Sequence, residues 1–224
     1  MTIDKKVIKE LLTKHTIEQV ETYFVLQYLI SKKIKYQKSH ILTKYFANVQ
    51  IPNISHHKNL VIESLKNLEN YLELLIPNND RKLNGAFFTP NYVIDFIITE
   101  LSPAETDKCL DPACGTGAFL IALADFYKQQ YGKSIKKTVQ ENIFGSDILD
   151  YNIKRAKILL AILALENGEY LEESDFNLYL QDSLRAKWHK KFEIIVGNPP
   201  YVKYQDLSAE NRIYLLNTWK TIQS

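Results

Sequence analysis

Asn198-Pro199-Pro200-Tyr201 sets an amide, two rigid rings and an aromatic plate side by side. It closes the apolar run Ile194-Ile195-Val196-Gly197, which has the length and texture of a buried strand of a parallel sheet. A residue before proline is pushed toward extended backbone, so Asn198 and Pro199 hold the amide and the carbonyls in fixed directions. Fixed acceptors beside a flat ring suit a planar group carrying an amino function, such as a nucleobase turned out of its stack. Taken alone, Asn-Pro-Pro after a strand is more often a loop breaker. The reading therefore depends on what else the chain brings to the same edge.

A second stretch, Asp111-Pro112-Ala113-Cys114-Gly115-Thr116-Gly117-Ala118-Phe119-Leu120, reads as strand, glycine turn and helix start. Gly115 and Gly117 permit a tight turn and close approach of a ligand to the amides at the helix N-terminus. The dinucleotide fingerprint is incomplete, because Leu120 takes the place of the third glycine and Asp147 lies beyond the usual acidic position. A phosphate loop is also excluded, since no Lys-Ser or Lys-Thr follows the glycines. What remains is a ligand with a nucleoside and no pyrophosphate. Asp147 could take its ribose hydroxyls, and Asp182 could accept from an adenine amino group.

These residues need a sheet to bring them together. After Pro77-Asn78-Asn79-Asp80, dense in turn formers, short apolar runs alternate with helical patterns, as in βαβ units. Strands are expected at Cys109-Leu110, at Ile143-Phe144, at Leu178 to Leu180 and from Phe192 to Val196, with helices over Tyr92–Leu101, Ala118–Tyr131, Ile153–Leu165 and about Ser208–Trp219. Asp111, Asp147, Asp182 and Asn198 then all fall at carboxyl ends of strands, where open α/β sheets bind ligands. Each aspartate singly is more often a helix cap or turn former. Four at equivalent positions define a cleft. Before the boundary, apolar residues recur at helical spacing from Asp4 to about Leu29 and from Leu60 to Ile76, so residues 1–80 are expected to form a helical subdomain and residues 81–224 the sheet domain. The basic run from Ser31 to Lys38 could follow a phosphate backbone but more commonly marks a solvated loop, and His56-His57 reads as an exposed loop pair.

The 224 residues, 46% hydrophobic and 24% charged with a net charge of +2, fit a globular chain and neither demand nor exclude nucleic acid. No apolar stretch is long enough to span a bilayer and no leader pattern opens the chain, so a cytoplasmic location is expected. Cys109 and Cys114 suggest neither disulfide nor zinc site, and no histidine stands near Cys114 in sequence to activate it as a nucleophile. No metal is expected.

The succession Gly85-Ala86-Phe87-Phe88-Thr89-Pro90, Asp111 to Leu120, Ser146-Asp147-Ile148, Gln181-Asp182-Ser183 and Asn198-Pro199-Pro200-Tyr201 resembles the adenine-specific (N6) DNA amino-methyltransferases of restriction-modification systems. The resemblance covers residues 85 to about 204. It implies a Rossmann-like sheet, S-adenosylmethionine as cofactor and methyl transfer to a flipped-out adenine. It implies further that Thr89 and the loop with Ala113, Gly115 and Gly117 hold the methionine part, that Asp111 serves its ammonium group, and that Asp147 with Ile148 and Asp182 with Ser183 take the ribose and adenine. Asn198, Pro199, Pro200 and Tyr201 would form the acceptor site. Double-stranded DNA, read by a target-recognition region, and specificity or nuclease subunits or domains are the implied partners. Because family members continue with further strands, the chain is expected to stop within the sheet domain, after its fourth strand. A cofactor-binding piece inactive alone, or a methyltransferase acting on RNA or on protein glutamine, are the alternatives.

Overall fold

The computed structural model describes residues 5–47, 49, 62–77, 89–202, 205 and 207–219. Four short apolar runs pair as parallel strands: β1 (Cys109–Asp111), β2 (Ile143–Asp147), β3 (Leu178–Leu180) and β4 (Ile194–Ile195), in the order β3-β2-β1-β4. Cys109 stands opposite both Ile143 and Ile194, which puts the carboxyl ends of the central strands level. The chain steps outward from β1 to β3 and then returns to the far side of β1 for β4. That reversal makes a topological switch point between β1 and β4, the place where open α/β sheets bind ligands. The α/β class expected for the sheet is the one observed.

Among the described residues the helices are α1 (Lys5–Lys14), α2 (Ile17–Ser31), α3 (His40–Phe46), α4 (Leu65–Leu74), α5 (Asn91–Leu101), α6 (Ala118–Tyr131), α7 (Ile135–Glu141), α8 (Asp150–Glu166) and α9 (Ala209–Thr218). The single helical pattern expected up to Leu29 is broken at Thr16, whose hydroxyl accepts from the Gln19 amide while the Gln19 side chain accepts from the Thr16 amide. This reciprocal cap starts a new helix more favourably than it would continue an old one. The basic run after Ser31 forms a turn, with Lys33 at φ 55° and the Tyr36 ring against Phe46. The Leu60 start of the next helix, His56-His57 and Gly85 to Phe88 lie outside the described residues.

Residues 1–76 and 88–198 make one compact unit, and residues 77–87 and 199–224 a second. The boundary expected at residue 80 lies outside the described residues. Helices α1–α4 share a single hydrophobic core with the sheet, running from Ile8, Phe24 and Leu72 through Leu159 to Cys109 and Ile143. The helix that joins the two is α8. It contacts β2 and β3 as well as α3 and α4, so Ile153 and every residue from Ile158 to Ala164 are buried around its whole circumference. In the second unit, α9 is capped by the Ser208 hydroxyl and has no buried residue. No helix among the described residues is long and apolar enough to cross a membrane.

Polar ties accompany the packing in the first unit. Arg155 of α8, 1% exposed, donates from Nε to Glu21 Oε2 of α2 at 2.6 Å, and Tyr45 of α3 donates to Glu21 Oε1 at 2.8 Å. Tyr28 of α2 donates to the Glu166 carboxylate. Removing one member of a buried ion pair strands its partner's charge, at a cost of roughly 3–5 kcal/mol. Arg155→Ala is therefore expected to lower unfolding free energy by about that amount. Urea denaturation followed by both tryptophan fluorescence and circular dichroism should show one shifted transition; an unchanged midpoint would refute the tie.

Candidate functional site

The site is built on the carboxyl end of β1. Asp111, its last residue, is 2% exposed and lies directly beneath Gly197. A Cβ at Gly197 would stand 3.0 Å from the Asp111 carboxyl carbon and closer still to Oδ1, so only glycine lets this backbone cross the carboxylate. Asp111 Oδ1 also accepts from the Ala113 amide at 3.0 Å, folding the chain into the turn that begins the glycine loop. Burial, then the neighbouring Asp147, pushes the Asp111 carboxyl up to about 7, against the downward pull of the Ala113 amide.

The loop itself is held from three sides. Gly115 and Gly117 have φ of 52° and 98°, conformations that other residues adopt at a cost. The Gly117 α-carbon packs on α8, where a Cβ would meet Ala156 Cβ at 3.2 Å, while nothing lies within 4 Å of the equivalent position at Gly115. The Cys114 amide donates to the Ser146 carbonyl at 2.9 Å, and the Gly115 amide donates to Asp147 Oδ2 at 3.0 Å. Asp147 Oδ1 accepts from the Leu149 amide and from Asn152 Nδ2 at 2.8 and 3.1 Å. Burial raises its pKa in spite of these donors. Ser146 and Ser183 approach one another and donate to the Pro112 carbonyl at 3.2 and 2.5 Å, clamping the loop to the ends of β2 and β3.

Asn198 follows β4 at the carboxyl edge of the sheet, where its Nδ2 donates to Thr89 Oγ1 at 3.1 Å, across 109 residues of sequence. That bond orients the amide, turning its acceptor oxygen away from Thr89. Ile148 follows Asp147 with 54% of its surface exposed. Asp182 lies two residues beyond β3, accepts from the Leu184 amide at 2.9 Å and faces Arg185 at 3.5 Å. In the second unit Pro199, Pro200 and Tyr201 are exposed, Tyr201 at 67%. Of the residues singled out from the sequence, the first unit thus gathers Asp111, Ala113, Gly115, Gly117, Asp147 and Ser183 around one loop and joins Thr89 to Asn198. Cys114 is buried, and burial followed by Asp111 and Asp147 raises its thiol well above the ordinary value, so it is an inert wall of the loop. Sequence reasoning missed Thr116, which lies 3.2 and 3.3 Å from carboxylate oxygens of Glu69 and Glu73. It also missed Asn152, although a polar residue early in a strongly apolar helix was a usable signal. Among the described residues no cluster of acidic, histidine or cysteine side chains could hold a metal ion.

Two buried carboxylates, Asp111 and Asp147, thus stand at the ends of adjacent strands beside a glycine loop. The model of the N-6 DNA methylases matches residues 68–221, more than half of the chain. The chain belongs to that family. It is 31% identical over 121 residues to the methylase subunit of a type I restriction enzyme, EcoEI, of Escherichia coli, covering 52% of this chain and 24% of that one. To the type II methyltransferase M.PaeR7I of Pseudomonas aeruginosa it is 28% identical over 152 residues, covering 61% and 26%. The chain therefore spans about a quarter of the length of these relatives. In fold it is similar to the type IIL restriction-modification enzyme MmeI, solved in complex with DNA, with a TM-score of 0.50 at 17% identity over 68% of this chain and 28% of that one.

The Asp111 pKa has a thermodynamic consequence. An unfolded aspartate titrates near 3.9, whereas this one titrates near 7 when folded, so the native state holds the proton more tightly. Its contribution to stability is full below about pH 4 and is lost as pH rises toward 7, at up to about 1.4 kcal/mol per pH unit. Asp111→Asn, which keeps the turn-forming oxygen, should therefore gain stability relative to the unaltered protein as pH is raised through that window. Chemical denaturation at several pH values checks this; a pH-independent difference would contradict it.

Proposed function

We propose that this chain forms the cofactor-binding and acceptor-orienting part of a DNA methyltransferase that moves a methyl group from S-adenosylmethionine to the N6 amino group of an adenine turned out of the duplex, within a restriction-modification system. The observation that carries the reading is the pair of buried carboxylates, Asp111 and Asp147, beside the glycine loop. A dinucleotide would bring its pyrophosphate against them, whereas S-adenosylmethionine brings an ammonium and a sulfonium, which relieve the cost of burying like charges. Asp111 with Ala113, Gly115 and Gly117 takes the methionine part. Beyond the three donors it already accepts, Asp147 retains one of its roughly four lone-pair sites for a ribose hydroxyl. The exposed apolar side chain of Ile148 suits a face of the adenine, and Asp182 its amino edge, while Ser183 supports the loop through Pro112. When bound, the cofactor supplies a sulfonium methyl, whose transfer forms an N–C bond, returns the C–S electron pair to sulfur and releases one amino proton to water.

The target nitrogen is a poor nucleophile because its lone pair is delocalised into the purine. An acceptor at Asn198 Oδ1 and another at the Pro199 carbonyl hydrogen-bond its two protons and favour a pyramidal nitrogen with a directed lone pair. Thr89 holds the Asn198 amide in the orientation this requires. Pro200 stiffens the turn, and Tyr201 offers its exposed ring as a stacking surface for the flipped base. The reading includes a cytoplasmic location and, as partners, duplex DNA with a target-recognition region and specificity or nuclease subunits or domains. Similarity to a methylase subunit of a type I restriction enzyme supports the last of these.

Tritiated cofactor offered with duplex DNA, RNA and protein distinguishes the substrates, and label entering adenine is the expected result; label confined to RNA or protein would overturn the DNA assignment. Asn198→Ala should reduce transfer about 10²–10³-fold, the usual cost of removing one preorganised hydrogen-bonding group, with cofactor affinity nearly intact. Normal turnover in that variant would sink the acceptor site. Separately, Asp147→Ala should weaken cofactor binding roughly tenfold or more, measured by calorimetry. Binding without transfer to any substrate would favour a cofactor-binding piece that is inactive alone.

A further inference from the structure

Thr116 is the residue of Gly115-Thr116-Gly117 whose side chain can anchor the loop. It is 2% exposed, and its Oγ1 lies 3.2 Å from Glu69 Oε1 and 3.3 Å from Glu73 Oε1. Both acids stand on α4, one turn apart and therefore on one face of the helix. Glu69 is fully buried, with Lys66 paired to its other oxygen. A buried carboxylate is costly unless it is paired and hydrogen-bonded, and Glu69 meets that requirement through Thr116 and Lys66. The arrangement points inward from the N-terminal helices to the glycine loop.

The loop needs such an anchor. Glycines lose more backbone freedom on ordering than any other residue, and here two of them flank a single side chain. A loop ordered before the ligand arrives spares the ligand that entropic cost. We infer that Glu69 and Glu73 are positioning residues for the cofactor loop: through the Thr116 hydroxyl, α4 fixes the conformation of Gly115-Thr116-Gly117 and thereby sets cofactor affinity. This rests on the glycine loop being the cofactor loop, as proposed above. Coupling of this kind is reciprocal, so cofactor binding steadies α4 in turn.

Thr116→Val keeps the shape of the side chain and removes the hydroxyl, whereas Thr116→Ser keeps the hydroxyl. On the whole chain, calorimetry with S-adenosylhomocysteine should give roughly tenfold weaker binding for Thr116→Val, the usual scale for a hydrogen bond to a charged group, with recovery in Thr116→Ser. Glu73→Leu, which removes the acceptor, should also weaken binding, and the double variant Thr116→Val/Glu73→Leu should be no weaker than Thr116→Val alone, because both changes remove one coupled interaction. Hydrogen exchange supplies a readout that a purely structural role would not move: S-adenosylhomocysteine should slow exchange in α4 of the unaltered chain and not of Thr116→Val. Equal affinity of Thr116→Val and the unaltered chain, or additive losses in the double variant, would overturn the inference while leaving the cofactor reading in place. If Thr116→Val does not fold, Glu73→Leu, at a half-buried position, decides by the same measurement. Failure of the unaltered chain to bind S-adenosylhomocysteine would instead remove the cofactor reading, and the inference with it.

Discussion

The burial of Asp111 at the end of β1 is the constraint on which the rest of the site depends. A carboxylate with 2% exposure is tolerated only where its surroundings are arranged for it. Here the Ala113 amide turns the chain toward the carboxylate, and Gly197 passes over it without a side chain. The same turn launches the glycine loop, and the same Gly197 sets the path of β4 into Asn198. The glycine loop and the placement of Asn198 are thus two consequences of one buried acid.

Asp147 makes a second demand of the same kind on the neighbouring strand. Its two oxygens gather the Gly115 and Leu149 amides and the Asn152 side chain, so the loop after β1 and the start of α8 are fixed relative to one another. Among the described residues neither acid has a hydrogen bond or ion pair to a cationic side chain. Burial is the main cause of the raised proton affinity of both acids.

Beneath the site, α8 carries the load between sheet and helices. Its central turns, Ile158 to Ala164, are buried on all sides because α3 and α4 cover the face that the sheet leaves uncovered. Arg155 and Glu166 sit on that covered helix, and their partners are Glu21 and Tyr28 of α2. The N-terminal helices are consequently part of the scaffold that holds the loop, which gives the contact between α4 and Thr116 its leverage.

Local chemistry made much of this legible in the sequence. The glycine loop, the start and end of α6 at Ala118 and Tyr131, and the approach of four polar residues to strand ends follow from periodicity and turn-forming residues, which act over a few positions. The cap at Thr16 was equally local but was hidden inside a continuous helical pattern. Other features required the folded chain, because they join residues far apart: Arg155 to Glu21 over 134 positions, Asn198 to Thr89 over 109, and Thr116 to Glu69 over 47. The tertiary structure also turned Ser183 onto Pro112 and placed β4 beside β1. By itself the sequence determined which groups could do chemistry and where the chain turns to present them. Only the tertiary structure decided which charges are stripped of water and which partners hold them, since burial and pairing are properties of the whole packed core.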